Sequence, residues 1–115
     1  MLLKLEAGDP RPLHEQVAGA IRRAVGDGEC VPGERLPPAR ELAAALGVNA
    51  NTVLRALRVL RDEGVLEFRR GRGVTVVQGA DRRAELLDSV RRLVADAAHA
   101  GFGREDVVEM IRGLE

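Results

Sequence analysis

The sequence predicts a mainly α fold with a small β-hairpin: a winged helix-turn-helix followed by a C-terminal two-helix dimerisation element. Three observations carry this expectation. Apolar residues recur at helical spacing through three early segments separated by Pro and Gly, the period changes to that of short strands around Arg70-Gly71-Arg72-Gly73, and a helical stripe resumes after residue 80. At 115 residues the chain is one ordinary domain or a small domain with an appendage, since cores usually form in units of roughly 100–150 residues.

The first element follows a short alternating start, "LLKLE", and a loop marked by Asp9-Pro10 and Arg11-Pro12. Pro12 suits the first turn of a helix, where its missing N–H costs nothing. Leu13, Val17, Ile21, Ala24 and Val25 then recur at helical spacing, predicting a first helix over roughly residues 12–27, ended by Gly26 and Gly28. "CVPGERLPPAR", with three prolines and a glycine in eleven residues, reads as a stiff irregular link. Pro38 and Ala39 open a shorter second helix with Leu42, Ala45 and Leu46 on one side, and Gly47 takes the place of a left-handed C-terminal cap. Asn49 caps a third helix running to about Glu63, with Gly64 as the stop. "VLEFRRGRGVTVVQ" reads as two short antiparallel strands joined by a glycine-containing turn. Residues 1–79 are thus expected to form a winged helix-turn-helix DNA-binding domain.

Residues 80–115 read as a separate helical tail. Leu87, Val90, Leu93, Val94 and Ala97 continue an apolar stripe, Gly101 and Gly103 interrupt it, and Val107, Val108, Ile111 and Leu114 give a short last helix. Two such helices bury little alone, so the stripe needs a partner. The expected partner is the same element of a second copy, which makes the chain a homodimer; packing back on its own winged domain is the alternative.

Composition excludes several classes. The core is aliphatic, with only two Phe among the 45% apolar residues. No apolar run approaches the roughly 18 residues of a membrane span and no signal-peptide pattern opens the chain, so a soluble cytoplasmic protein without a membrane partner is expected. Cys30, the single cysteine, excludes an internal disulfide, and neither it nor His14 or His99 stands at metal-ligand spacing. No catalytic residue, metal or cofactor is implied. Formal net charge is zero, yet its distribution is uneven: between Arg35 and Gly73 eight arginines face four acids. A locally basic face on a neutral protein suits phosphate binding, although an ordinary solvated surface has the same composition.

The third helix sorts its side chains by function. With Val53 as reference and about 100° per residue, Ala56, Leu57 and Leu60 fall on the core side, while Asn51, Arg55 and Arg58 gather at the opposite pole. The second helix of a helix-turn-helix enters the major groove with its N-terminal residues at the base edges. Asn there pairs with adenine, Arg with guanine, and the Thr methyl touches a thymine methyl. Asn51 and Arg55 are not needed by the helix itself and are the expected base readers. Asn49 serves as cap or base contact, Thr52 as base or phosphate contact, and Arg58 meets a phosphate or solvent. Arg40, early in the second helix, is expected to reach the DNA backbone or adjacent bases, or else to pair with Glu41 or a neighbour at the surface. Arg70, Gly71 and Arg72 at the wing suit a narrow minor groove, where arginine is electrostatically favoured.

"PLHEQVAGAIRRAVGDGECVPGERLPPARELAAALGVNANTVLRALRVLRDEGVLEFRRGRGVTVV" resembles the N-terminal domain of GntR-family bacterial transcription regulators over about 65 residues, through "PGERLPPARELAAALGVNANTV", "L.DEGVLE" and "RRGRG" in order. The short tail looks like the YtrA-like subfamily, whose C-terminal region serves dimerisation. The resemblance implies that Arg40, Asn49, Asn51, Thr52, Arg70, Gly71 and Arg72 meet DNA, and Arg55 matches the arginine of the subfamily's "NTV.RA" pattern. His14 stands where tyrosine is frequent, Ala50 replaces a common proline, and Leu57 replaces an aromatic. The expected function is a homodimeric repressor binding a double-stranded DNA operator with inverted-repeat symmetry. The alternative is a winged-helix protein-interaction module without specific DNA binding. One branch of the family fuses this domain to a pyridoxal-phosphate enzyme, but Lys4 is the only lysine here and no residues remain for that fold. The sequence leaves room for a small-molecule effector without indicating one.

Overall fold

The computed structural model describes residues 3–115; Leu2 of the alternating start lies outside them, and residues 3–6 form no regular element. Helix α1 (Leu13–Gly26) begins after a loop fixed by Asp9. The Asp9 carboxylate accepts the Arg11 backbone N–H at 2.9 Å and its guanidinium at 2.8 Å, and this neighbour holds the Asp9 carboxyl below its ordinary range. Gln16 Nε2 then donates to the Arg11 carbonyl at 2.7 Å, tying the loop to the helix. Val17, Ile21, Ala24 and Val25 are buried as their spacing predicts, whereas Leu13 at the helix start is 50% exposed.

Helix α2 (Ala39–Leu46) ends at Gly47, whose φ of 71° is the left-handed cap expected from sequence. Its inner side differs from the one the sequence suggests. Leu42 and Ala43 are buried, Leu46 is half-buried and Ala45 is exposed. The helix packs on α3 (Ala50–Asp62), and that contact rotates the buried arc toward Ala43. Helix α3 buries Val53, Ala56, Leu57 and Leu60, the side its spacing predicts, and a three-residue turn, Gly47-Val48-Asn49, joins the two helices. Burying a Leu or Val side chain contributes about 1.5–3 kcal/mol, so this one stripe supplies much of what holds α3 down.

Strands β1 (Leu66–Arg69) and β2 (Gly73–Val76) pair antiparallel with Leu66 opposite Val76 and Arg69 opposite Gly73. Leu66 and Val76 are buried; Phe68, farther out, lies under the Arg61 guanidinium, 5.0 Å from its ring centre. The link before α2 forms no helix or strand, as its prolines suggest, yet it is tied to the sheet. Arg35 bridges Thr75 on the free edge of β2, backed by Gly33 N–H to Val76 O (2.7 Å), Leu36 N–H to Val74 O (2.8 Å) and Val76 N–H to Glu34 O (2.9 Å). Pro32, Pro37 and Pro38 lack donors, but they flank this stretch and leave its own donors free to pair.

A buried ion pair closes the unit. The Arg22 guanidinium of α1 donates two hydrogen bonds of 2.9 Å to the Glu63 carboxylate, just past the end of α3. Arg83 of α4 (Ala80–His99) donates to the Glu63 carbonyl, and Ala80 and Ala84 are buried. This first unit extends through Glu85.

The second unit, Leu86–Glu115, holds the rest of α4 and α5 (Arg104–Arg112). The turn between them is fixed by Phe102 N–H to Ala97 O at 2.8 Å and by the Gly103 N–H donating to Asp106 Oδ2 at 2.8 Å. Of the apolar residues expected at a partner interface, Val107 is buried and Leu87, Val94, Ala97 and Val108 are half-buried. Val90, Leu93, Ile111 and Leu114 are exposed, and with them Leu86, Phe102 and Met110.

Candidate nucleic-acid interface

The start of α3 is built so that its outward side chains are surplus to the fold. Asn49 has extended backbone geometry and its Oδ1 accepts the Asn51 N–H at 2.7 Å, the cap that the sequence predicts. That bond turns the Asn49 carbonyl oxygen back into the helix and leaves its amide N–H groups as the outward function. Asn51 has no such commitment: it is exposed and, among the described residues, no hydrogen bond engages its side-chain amide, the donor and acceptor set that matches an adenine edge. Arg55 lies four residues on, exposed on the same side, with Arg58 beyond it; Thr52 is half-buried beside them. Leu54 is half-buried, between the two faces.

A shallow depression of about 260 Å3 joins Asn51, Thr52 and Arg55 to Leu13 and His14 at the start of α1. The sequence places α1 and α3 far apart, and only the packing of α1 against α3 brings Leu13 and His14 to the edge of this surface. Leu13, exposed where a core residue is expected, therefore borders the polar end of α3.

At the wing, the Arg72 N–H donates to the Arg69 carbonyl at 3.0 Å and closes a four-residue turn. Gly71 is its third residue with φ of 78°, a conformation that turn requires and side chains resist. Arg70 and Arg72 flank it, both exposed. Beneath the turn lies a basin of about 400 Å3 whose lining includes Arg35, Glu67, Arg69, Arg72 and Thr75.

Some arginines are tied into the fold and others are not. Arg22, Arg69, Arg83 and Arg112 are engaged by carboxylates or carbonyls of the fold. Arg40, Arg55, Arg58, Arg70 and Arg72 are exposed and, among the described residues, make no hydrogen bond or ion pair, as is also true of Arg23, Arg82 and Arg104; the Arg40–Glu41 pair open from sequence does not form. Arg35 belongs with this second set, and spacing alone gave no reason to single it out. Ion pairs at a surface offset charge locally, so the unpaired set is what an approaching polyanion meets. Among the described residues no cluster of three or more His, Cys, Asp or Glu is placed to hold a metal, and no helix is long and apolar enough to cross a membrane.

Comparison with known proteins gives a consistent picture. The family described as bacterial regulatory proteins, gntR family, matches residues 13–76. The HTH-type transcriptional repressor YtrA of Bacillus subtilis is 33% identical, over 92% of this chain and 88% of that protein. Among solved structures, YtrA from Sulfolobus acidocaldarius, a GntR-family transcription factor, superposes with a TM-score of 0.64 at 33% identity, covering 81% of this chain and 98% of that one. AraR(DBD) in complex with operator ORX1 superposes at 0.59 with 28% identity, covering 66% of this chain and 96% of that one.

Proposed function

Because the chain belongs to the gntR family of bacterial regulatory proteins and is YtrA-like within it, we propose that it is a sequence-specific repressor acting as a homodimer on an inverted-repeat operator. One observation carries the reading: Asn51, Arg55 and Arg58 stand exposed on the pole of α3 opposite four buried residues, with the unpaired Arg40, Arg70 and Arg72 on the same unit. Helix α3 enters the major groove, where Asn51 pairs with adenine and Arg55 with guanine. Thr52 touches a thymine methyl or a phosphate, Asn49 donates its amide N–H while capping, and Arg40 and Arg58 hold the backbone. Arg70 and Arg72 enter the adjacent minor groove, with Gly71 allowing the turn to come close. The AraR complexes with operator DNA support this assignment by relationship of fold and sequence.

The residues up to Gly79 serve DNA binding and the helical tail of residues 80–115 serves dimerisation, its first six residues, 80–85, packing into the first unit. Val90, Leu93, Ile111 and Leu114 favour dimerisation, since each is a large apolar side chain left exposed on this short helical tail, and exposed apolar surface marks an interaction site. Half-buried Leu87, Val94, Ala97 and Val108 complete the interface, and Val107, already buried within the tail, supports it. Two-fold symmetry of the dimer then sets half-sites about one helical turn apart, roughly 34–36 Å.

Fluorescence anisotropy tests the reading directly. A labelled duplex carrying an inverted repeat from the promoter region of the protein's own gene should bind about a thousandfold more tightly than the same duplex scrambled, with affinity falling steeply with salt. Equal affinity for both duplexes, or binding indifferent to salt, would refute sequence-specific recognition.

A further inference from the structure

We infer that Arg35, on the stretch paired to the outer edge of β2, is an additional arginine of the wing and takes a phosphodiester of the DNA backbone in the basin it shares with Arg69 and Arg72. This rests on the DNA-binding reading and extends the contact surface beyond the hairpin. The antiparallel bridge between Arg35 and Thr75 sets the register, and it puts Arg35, Thr75 and Glu67 in one row across the sheet, with Gly73 and Arg69 paired two residues farther toward the turn, on the same face. The Arg35 guanidinium lies over Gly73: a Cβ at that position would come within 3.2 Å of Nε and 3.4 Å of Nη2. The side chain is therefore laid along the sheet toward the wing turn, where Gly71 and Arg72 complete the lining.

The charges in the basin do not cancel. Three arginines face a single carboxylate, Glu67. Glu67 is already occupied, accepting the Arg69 Nε–H at 2.8 Å and the Thr75 hydroxyl at 3.5 Å. Arg35 and Arg72 are left exposed and without a hydrogen bond or ion pair among the described residues. Two unpaired guanidinium groups at the mouth of one basin, beside a turn whose glycine permits close approach, form a site for a bridging anion. Linked to the wing, the anion within reach is a backbone phosphate flanking the groove that the wing enters.

A phosphate contact leaves a signature independent of sequence, because each one lowers the slope of log K against log salt by about 0.9. The probes are a labelled 30-base-pair duplex carrying the promoter inverted repeat and a scrambled duplex of the same composition, each titrated between about 50 and 200 mM salt. With R35A the slope should flatten by about 0.9 on both duplexes, so that the affinity ratio of wild type to variant shrinks about 3.5-fold across that range. R35K should restore the slope. E67Q, which frees Arg69 and needs no loss of a side chain from the sheet, should tighten binding and steepen the slope. An R35A protein with the wild-type slope would overturn the inference, as would E67Q with unchanged affinity and slope. If the wild-type chain itself binds neither duplex in a salt-dependent way, the DNA-binding reading fails instead.

Discussion

Substituting Glu63 by Ala offers a severe test of how α3 is held. The Arg22 side chain is 3% exposed and that of Glu63 14%, and two hydrogen bonds of 2.9 Å join them across 41 residues of sequence. Removing the carboxylate strips a buried guanidinium of its main counter-charge, which typically costs 3–5 kcal/mol. Glu63 sits at a helix end with some solvent access, so the lower figure, about 3 kcal/mol, applies. With an m-value of about 1.5 kcal/mol per molar urea, the unfolding midpoint should fall by about 2 M. Because dimerisation couples stability to concentration, urea titrations followed by circular dichroism must use one protomer concentration throughout. Replacing both partners at once, as R22M with E63L, should recover most of the loss, since an apolar pair of similar volume avoids the desolvation cost. A loss under about 1 kcal/mol for E63A, the range of an exposed pair, would refute the claim that this ion pair anchors the recognition helix.

Three further outcomes are expected. N51A and R55A should each weaken binding to the promoter inverted repeat by about 1–3 kcal/mol while barely affecting the scrambled duplex, read by anisotropy; equal losses on both would make them backbone contacts. Val90→Glu together with Leu93→Glu places charge on the exposed face of α4 and should give a monomer in sedimentation equilibrium with the helical signal of the first unit retained. Burial pushes the Cys30 thiol up from its ordinary range, so its reaction with a disulfide reagent at pH 8 should be slow in the native protein and fast in urea; the thiolate is the reactive form and stays scarce until the pH rises well above that range.

Local chemistry was legible in the sequence wherever a few adjacent residues decide the outcome. Asn49 as cap, Gly47 as left-handed stop, the Val53-Ala56-Leu57-Leu60 stripe and the turn around Gly71 all follow from propensities over one or two turns of chain. What escaped depends on partners distant in sequence. The bridge from Arg35 to Thr75 spans 40 residues, and the proline-rich stretch around it carries no alternating pattern to announce a strand. Arg22 and Glu63 look like ordinary surface charges until α1 is laid against the end of α3. His14 gains its place beside Asn51 and Arg55 in the same way. The error on α2 was of angle: a short helix with alanines on several sides has no sharp apolar face, so Ala43 or Ala45 is selected by the packing on α3.

The stitching of the link onto β2 has a thermodynamic consequence. Backbone hydrogen bonds of 2.7, 2.8 and 2.9 Å hold Gly33, Glu34 and Leu36 to the strand, making β2 the middle of three chain segments. A two-stranded hairpin alone is at best marginally ordered in water. Here the conformational entropy of the wing's base is lost when the domain folds, so that loss does not recur when the wing meets DNA. The wing thus arrives preorganised, and calorimetry should find a heat-capacity change on duplex binding close to that of the buried contact surface, with no added contribution from a segment that folds on contact.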